Sequence, residues 1–157
     1  MRNTTLYWLN MSALAVTAMA IAPAAPAATP QDNWVIRAKD APAAIGPYSQ
    51  AIWAGDTLYV SGQLGIDTLT GALVGNHADK QTRAALENIK SILREAGLTM
   101  ANIVSTTIYL ADIEDYAAVN EIYATYFTGV APARSAISVA GLPKKARVEI
   151  SVIALRR

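Results

Sequence analysis

Two periods of hydrophobic recurrence organise the chain. Over residues 79–96 apolar side chains return at helical spacing. Ala85, Ile89, Ile92, Leu93 and Ala96 share one face, and Lys80, Arg83, Glu87, Lys90 and Arg94 lie largely elsewhere. The spacing predicts a helix, with Gly97 as its C-terminal cap. Over 102–111 the period is two: Val104, Thr106, Ile108 and Leu110 alternate with Ser105, Thr107 and Tyr109, which predicts a strand. Residues 49–54 and 57–63 are also strand-like, and Gly55-Asp56 between them is a hairpin signal. There Leu58 and Val60 point one way and Thr57, Tyr59 and Ser61 the other. A second helix follows Asp112, a capping residue, with Glu114 and Asp115 in its first turn. Its expected buried face is Tyr116, Val119, Tyr123 and Phe127, and Gly129 ends it. Residues 132–149 read as the start of a final hairpin joined through Gly141-Leu142-Pro143. In its last strand Val148, Ile150, Val152 and Ala154 line one face, and Glu149, Ser151, Ile153 and Leu155 the other.

Residues 34–37 suggest a short first strand, and 41–50, with two prolines and a glycine, a loop. The main pattern is β-β-α-β-α-β-β. That is an α+β two-layer fold, with two helices on one face of a single sheet. The other sheet face has no helix to cover it, yet it carries Tyr109, Ile153 and Leu155. Such a face implies association, and a closed homo-oligomer with clefts between subunits is the simplest outcome.

The first 28 residues follow neither period. Arg2 is their one charge, an apolar run spans 6–22, and prolines and alanines follow. This is the pattern of a secretory signal peptide, with cleavage expected near Ala27. It divides the chain into a signal peptide at 1–27, a linker at 28–33 and a domain at 34–157. A periplasmic or secreted protein is expected, free of the membrane once the signal is removed. Cleavage would remove Arg2 and no acid, which balances the mature chain's charge.

Composition then narrows the chemistry. The chain has 13 Lys and Arg against 12 Asp and Glu, and no basic block longer than Lys144-Lys145. A nucleic-acid partner therefore has no electrostatic footprint. There are no cysteines, which excludes disulfides, thiol nucleophiles and thiolate metal sites. The single histidine, His77, precedes a helix and has one nearby acid, Asp79, which fits no metal-ligand spacing. No metal is expected. No Gly-x-Ser-x-Gly elbow and no phosphate-cradling glycine motif occur, and the lysines lie in polar or helix-surface contexts.

What remains is non-covalent chemistry, and two charges stand out for it. Arg134 and Glu149 both lie in strands of otherwise apolar or small residues, where charges are rare unless paired or bound. An arginine fork suits a carboxylate, and a glutamate can act on a water. A structural Arg134–Glu149 ion pair is the plainer explanation from spacing alone, and the site reading stands open beside it.

Several segments match a known family in order and separation: IGPYSQAI at 45–52, SGQ at 61–63, QTRAALENIKSILREAG at 81–97, VNEIYATYF at 119–127, PARSAISV at 132–139 and LPKKARVEISVIA at 142–154. Across nearly the whole domain the chain resembles the RidA (YjgF) family of enamine/imine deaminases. The resemblance implies a chorismate-mutase-like fold, a homotrimer and sites at subunit interfaces. It also implies a cofactor-independent hydrolase acting on C=N bonds, converting reactive 2-iminoacids or their enamines to 2-ketoacids and ammonia. By the same resemblance Arg134 grips the substrate carboxylate and Glu149 activates the attacking water. Tyr48 lines the pocket from a neighbouring subunit, Gly62 makes a backbone contact near the substrate, and Asn88 is structural.

The chain departs from the family pattern in places. Ala136, which would shape the pocket, stands where many members have cysteine, and Ser151 where many have a second acid. The expected signal peptide is unusual as well. These departures keep open an alternative, a trimeric module that binds a small carboxylate or 2-ketoacid without turning it over.

Overall fold

The computed structural model describes residues 34–157. The expected signal peptide and linker lie outside the described residues. Eight elements follow one another: β1 (Val35–Ile36), β2 (Ala51–Ala54), β3 (Thr57–Leu64), α1 (Ala78–Glu95), β4 (Ile103–Leu110), α2 (Tyr116–Ala124), β5 (Ala133–Ser138) and β6 (Val148–Leu155). The strands form one mixed sheet in the order β1-β2-β3-β6-β4-β5, with β4 and β5 parallel. Two helices lie on one of its faces, so the expected α+β two-layer arrangement is present, with the short β1 added at one edge.

The last two strands do not form the expected hairpin. β6 inserts between β3 and β4, antiparallel to both, and β5 lies on the far side of β4. The physical reason lies in composition. β6 (VEISVIAL) has a fully apolar inner face, with Val148, Ile150 and Ala154 completely shielded, and it takes the centre of the sheet. β5 (ARSAIS) is small and polar, which suits an edge. The β4–α2–β5 passage is a crossover, the connection that a parallel pair requires.

α1 buries Ala85, Leu86, Ile89, Ile92 and Leu93 against Leu58, Val60, Ile108, Leu110 and Val152 of the sheet. Each leucine, isoleucine or valine among them contributes roughly 1.5–3 kcal/mol of burial free energy. The helix stops at the residue pair Ala96-Gly97, where Gly97 takes φ 74° and its N–H donates to the Arg94 carbonyl. α2 is shorter than expected and ends at Ala124, not near Gly129. Only Val119 and Tyr123 of its expected inner face are buried. Phe127 lies beyond the helix and packs on Tyr123 with ring centroids 4.5 Å apart, while Tyr116 is 44% exposed. In β4 a bulge between Ile103 and Ser105 puts Ile103 in the core in place of Val104.

Beyond the helices, the second sheet face is open. Ile52, Tyr59 and Ile137 each expose more than two fifths of their surface there, and Tyr109, Ile153 and Leu155 are half-buried. No helix of the described residues is long and apolar enough to cross a membrane.

Candidate active site

A cavity of about 680 Å3 opens beside the sheet where β3 and β6 meet, and Tyr48, Ser61, Gly62, Leu64, Lys144 and Glu149 are among its walls. Each wall has a local cause. Tyr48 belongs to a loop held by Gln50, whose buried amide accepts from Ala38 N–H at 2.7 Å and donates to the carbonyls of Ala38, Ala41 and Pro42. The hydroxyl of Tyr48 in turn accepts from Ile45 N–H at 3.3 Å. Leu64 continues β3 into a segment tied to α1 by Asn88, which donates to the Leu64 and Ile66 carbonyls at 3.2 and 3.0 Å. Asn88 is therefore structural, as expected. The opposite rim is a turn ordered by Asp67, which accepts from Leu69 and Thr70 N–H.

Glu149 projects from β6 between Val148 and Ile150, which are completely shielded on the other face. Its neighbour Gly62 sits in a bulge of β3, between the paired residues Val60 and Gln63. A β-carbon at Gly62 would overlap the Glu149 carboxylate. The glycine thus makes the space in which the acid lies. Among the described residues Glu149 has no side-chain hydrogen bond or ion pair, and burial pushes its carboxyl above the ordinary value of 4.5.

Arg134 lies elsewhere. In β5 it stands opposite Thr106 of β4, whereas Glu149 of β6 stands opposite Tyr109. Thr106 and Tyr109 are three residues apart on one strand, so they face opposite ways. Arg134 is on the helix side of the sheet and Glu149 on the open side. The structural ion pair between them is absent. Instead the guanidinium lies over the Tyr123 ring, with Cζ 4.6 Å from its centroid. Its Nη2 donates to Asn120 Oδ1 at 2.9 Å and to the Tyr116 hydroxyl at 3.2 Å. Tyr123 is itself fixed by a 3.0 Å bond to Thr106 Oγ1. Burial pushes the Tyr123 phenol up, against that bond and the nearby Arg134 charge.

The sequence-predicted residues therefore divide into two groups. Tyr48, Gly62 and Glu149 share one cavity within one chain. Arg134 and Ala136 share the helix-facing side of β5, and Ala136 packs against the core. Sequence reasoning missed Tyr116 and Asn120, whose spacing with Tyr123 of four and three residues forms one stripe of α2. It also missed Lys144, whose ammonium donates to the Gly71 carbonyl at 3.3 Å across the cavity rim. Lys144 and Lys145 both have positive φ, near 57°, a conformation uncommon outside glycine. His77 is the residue that precedes α1, and no group of three or more potential metal-ligating side chains occurs among the described residues.

Comparison with known proteins places this arrangement. Rat 2-iminobutanoate/2-iminopropanoate deaminase is 51% identical over 122 residues, which are 78% of this chain and 89% of the relative. A solved protein of the conserved Rid family from Yersinia pestis, YyfA, is 53% identical with a TM-score of 0.76, over 78% of this chain and 98% of that one. The structure of E. coli TdcF with bound serine is 37% identical with a TM-score of 0.75, over the same shares. The family described as Endoribonuclease L-PSP matches residues 38–156, which run from the loop ahead of Tyr48 through Glu149 to the end of β6. On this family match and these identities, the chain belongs to the RidA/YjgF (L-PSP) family.

Proposed function

We propose that this protein hydrolyses 2-iminoacids, or their enamine tautomers, to 2-ketoacids and ammonia. The observation that carries the reading is Glu149: a lone, partly buried carboxyl with a raised pKa, facing a cavity in which Gly62 leaves it room. Such a group can take a proton from water and return it. The naming of a relative at about half identity as an imine deaminase points to the same chemistry.

In this reading a water held by Glu149 attacks the imine carbon. A C–O bond forms, the water's proton passes to Glu149, and the C=N electron pair moves onto nitrogen. Glu149 then gives its proton to that nitrogen. The amino nitrogen of the carbinolamine then takes a second proton from solvent while the hydroxyl proton is lost to solvent, and the C–N bond breaks to release ammonia and leave the ketone. Arg134 holds the substrate carboxylate through its planar fork.

Because Arg134 and Glu149 face opposite sides of one sheet, a shared substrate needs them from two copies. A homotrimer with sites between subunits meets that need and covers the open sheet face carrying Tyr59 and Ile137. The signal-like pattern of residues 1–27 supports an exported enzyme, acting in the periplasm or outside the cell. No cofactor enters this scheme.

The test is to generate iminoacids with an amino-acid oxidase and follow their decay. Wild type should accelerate decay well beyond the buffer rate, and Arg134→Ala should not. Equal rates for the two proteins would remove the proposal. Binding of 2-ketobutyrate without any turnover would favour the non-catalytic module.

A further inference from the structure

The way Arg134 is held bears on how it can take a carboxylate. Its Nη2 has two hydrogens and two acceptors, Asn120 Oδ1 at 2.9 Å and the Tyr116 hydroxyl at 3.2 Å. Among the described residues its Nε and Nη1 have no partner. A two-bond fork onto a carboxylate draws on Nη2 either way, with Nη1 end-on or with Nε side-on. One of the present acceptors must therefore yield when a carboxylate docks. The two are unequal. The Asn120 bond is the shorter, and Tyr116 is the first residue of α2 whereas Asn120 lies a full turn inside it. The Tyr123 face remains beneath the guanidinium whichever bond breaks, because Tyr123 is bonded to Thr106 on the neighbouring strand.

We infer that Asn120 is the positioning residue that aims the Arg134 fork, and that the Tyr116 hydroxyl is a placeholder that a substrate carboxylate oxygen displaces. The inference rests on reading Arg134 as the carboxylate clamp. It separates two neighbours of one guanidinium by opposite effects on binding. Losing Asn120 frees the side chain to leave its register, at a cost in affinity. Losing the Tyr116 hydroxyl removes a competitor for Nη2.

Calorimetry with 2-ketobutyrate and its uncharged amide, 2-ketobutyramide, tests this on full-length wild type, Asn120→Ala, Tyr116→Phe and Arg134→Ala. Asn120→Ala should bind the acid about tenfold more weakly, as expected for a lost hydrogen bond to a charged group. Its preference for acid over amide should shrink by the same factor. A merely structural role would leave that ratio unchanged. Tyr116→Phe should bind the acid as tightly as wild type or up to about threefold more tightly, the scale of one weak competing bond. Wild-type acid affinity in Asn120→Ala, or equal weakening in both variants, overturns the inference. If Arg134→Ala loses acid binding while Asn120→Ala keeps it, only this inference falls. If Arg134→Ala binds the acid like wild type, or wild type does not bind it, the clamp reading falls and takes the inference with it.

Discussion

Gly62 and Glu149 face each other across the β3–β6 pairing, and the absent side chain of one is the space occupied by the carboxylate of the other. Any β-carbon at 62 must displace the acid. The atoms it meets belong to a side chain and not to backbone, so the fold can give way by rotating Glu149. Gly62→Ala should therefore retain most of its thermal stability and lose iminoacid-hydrolysing activity by about a hundredfold, the usual scale for a misplaced acid/base group. Paired melting and imine-decay measurements check this. A variant with near-normal activity would show that Glu149 does not act from the position it holds.

Glu149 also makes a pH prediction. Burial raises its carboxyl above 4.5, so the folded protein holds that proton more tightly than the unfolded chain does. Stability from this group is greatest below 4.5 and declines as pH rises through the higher folded value. Above that value the ionised side chain is a liability to the fold. Glu149→Gln should melt higher than wild type at neutral pH, and the difference should close on acidification below about 4.5. Activity should move the other way, rising in wild type as Glu149 ionises and staying low throughout in the variant. Melting curves and rates from pH 4 to pH 8, as an order-of-magnitude window about the carboxyl range, decide both points.

Much of this architecture was legible in the chain, for reasons that can be named. α1 was readable because its core residues recur every three to four positions over a long run, and the β2–β3 turn because Gly55 supplies the positive φ it requires. Strand order was not readable. Nothing local to β6 says that it will insert between β3 and β4, and the short Gly-Leu-Pro link invited a hairpin. That one error hid the relation between the two chosen charges, since the face of Arg134 follows from its pairing with Thr106. Their chemical type marked Arg134 and Glu149 in sequence, but only the pairing register shows that they lie on opposite faces. Tyr116 was misread because periodicity counts an aromatic as core, whereas its hydroxyl serves Arg134 at the surface.

Asn88 allows a purely structural prediction. Its buried amide satisfies the carbonyls of Leu64 and Ile66, where β3 leaves the sheet on its way to α1. Asn88→Leu removes the donor and leaves both carbonyls without it. The expected loss is about 1–3 kcal/mol, seen as a lower urea midpoint and a melting temperature reduced on the order of 5 °C. Leu64 and Glu149 are cross-strand partners, so a modest fall in activity should accompany the loss. An unchanged melting temperature would mean that water replaces the amide at no cost.

The opposite-face placement of Arg134 and Glu149 predicts how two defective proteins behave together. Glu149→Gln keeps a normal Arg134, and Arg134→Ala keeps a normal Glu149. If one chain supplied both groups to a site, no mixture of these variants could be active. If each site takes Glu149 from one copy and Arg134 from the next, mixed trimers contain some sites with both native groups. Random mixing of equal amounts in a closed three-fold ring makes about one quarter of the sites native. Co-expression of the two variants should therefore recover about a quarter of wild-type activity, while each alone stays near zero. Ile137→Asp supplies the matching control. Ile137 lies on the open face and is 47% exposed, so if that face is the boundary between copies, a charge there should lower the sedimenting mass to that of one chain and abolish the recovered activity. Recovery that survives dissociation, or no recovery in a mixed assembly, would mean that the carboxylate clamp and the water activator do not meet across a subunit boundary.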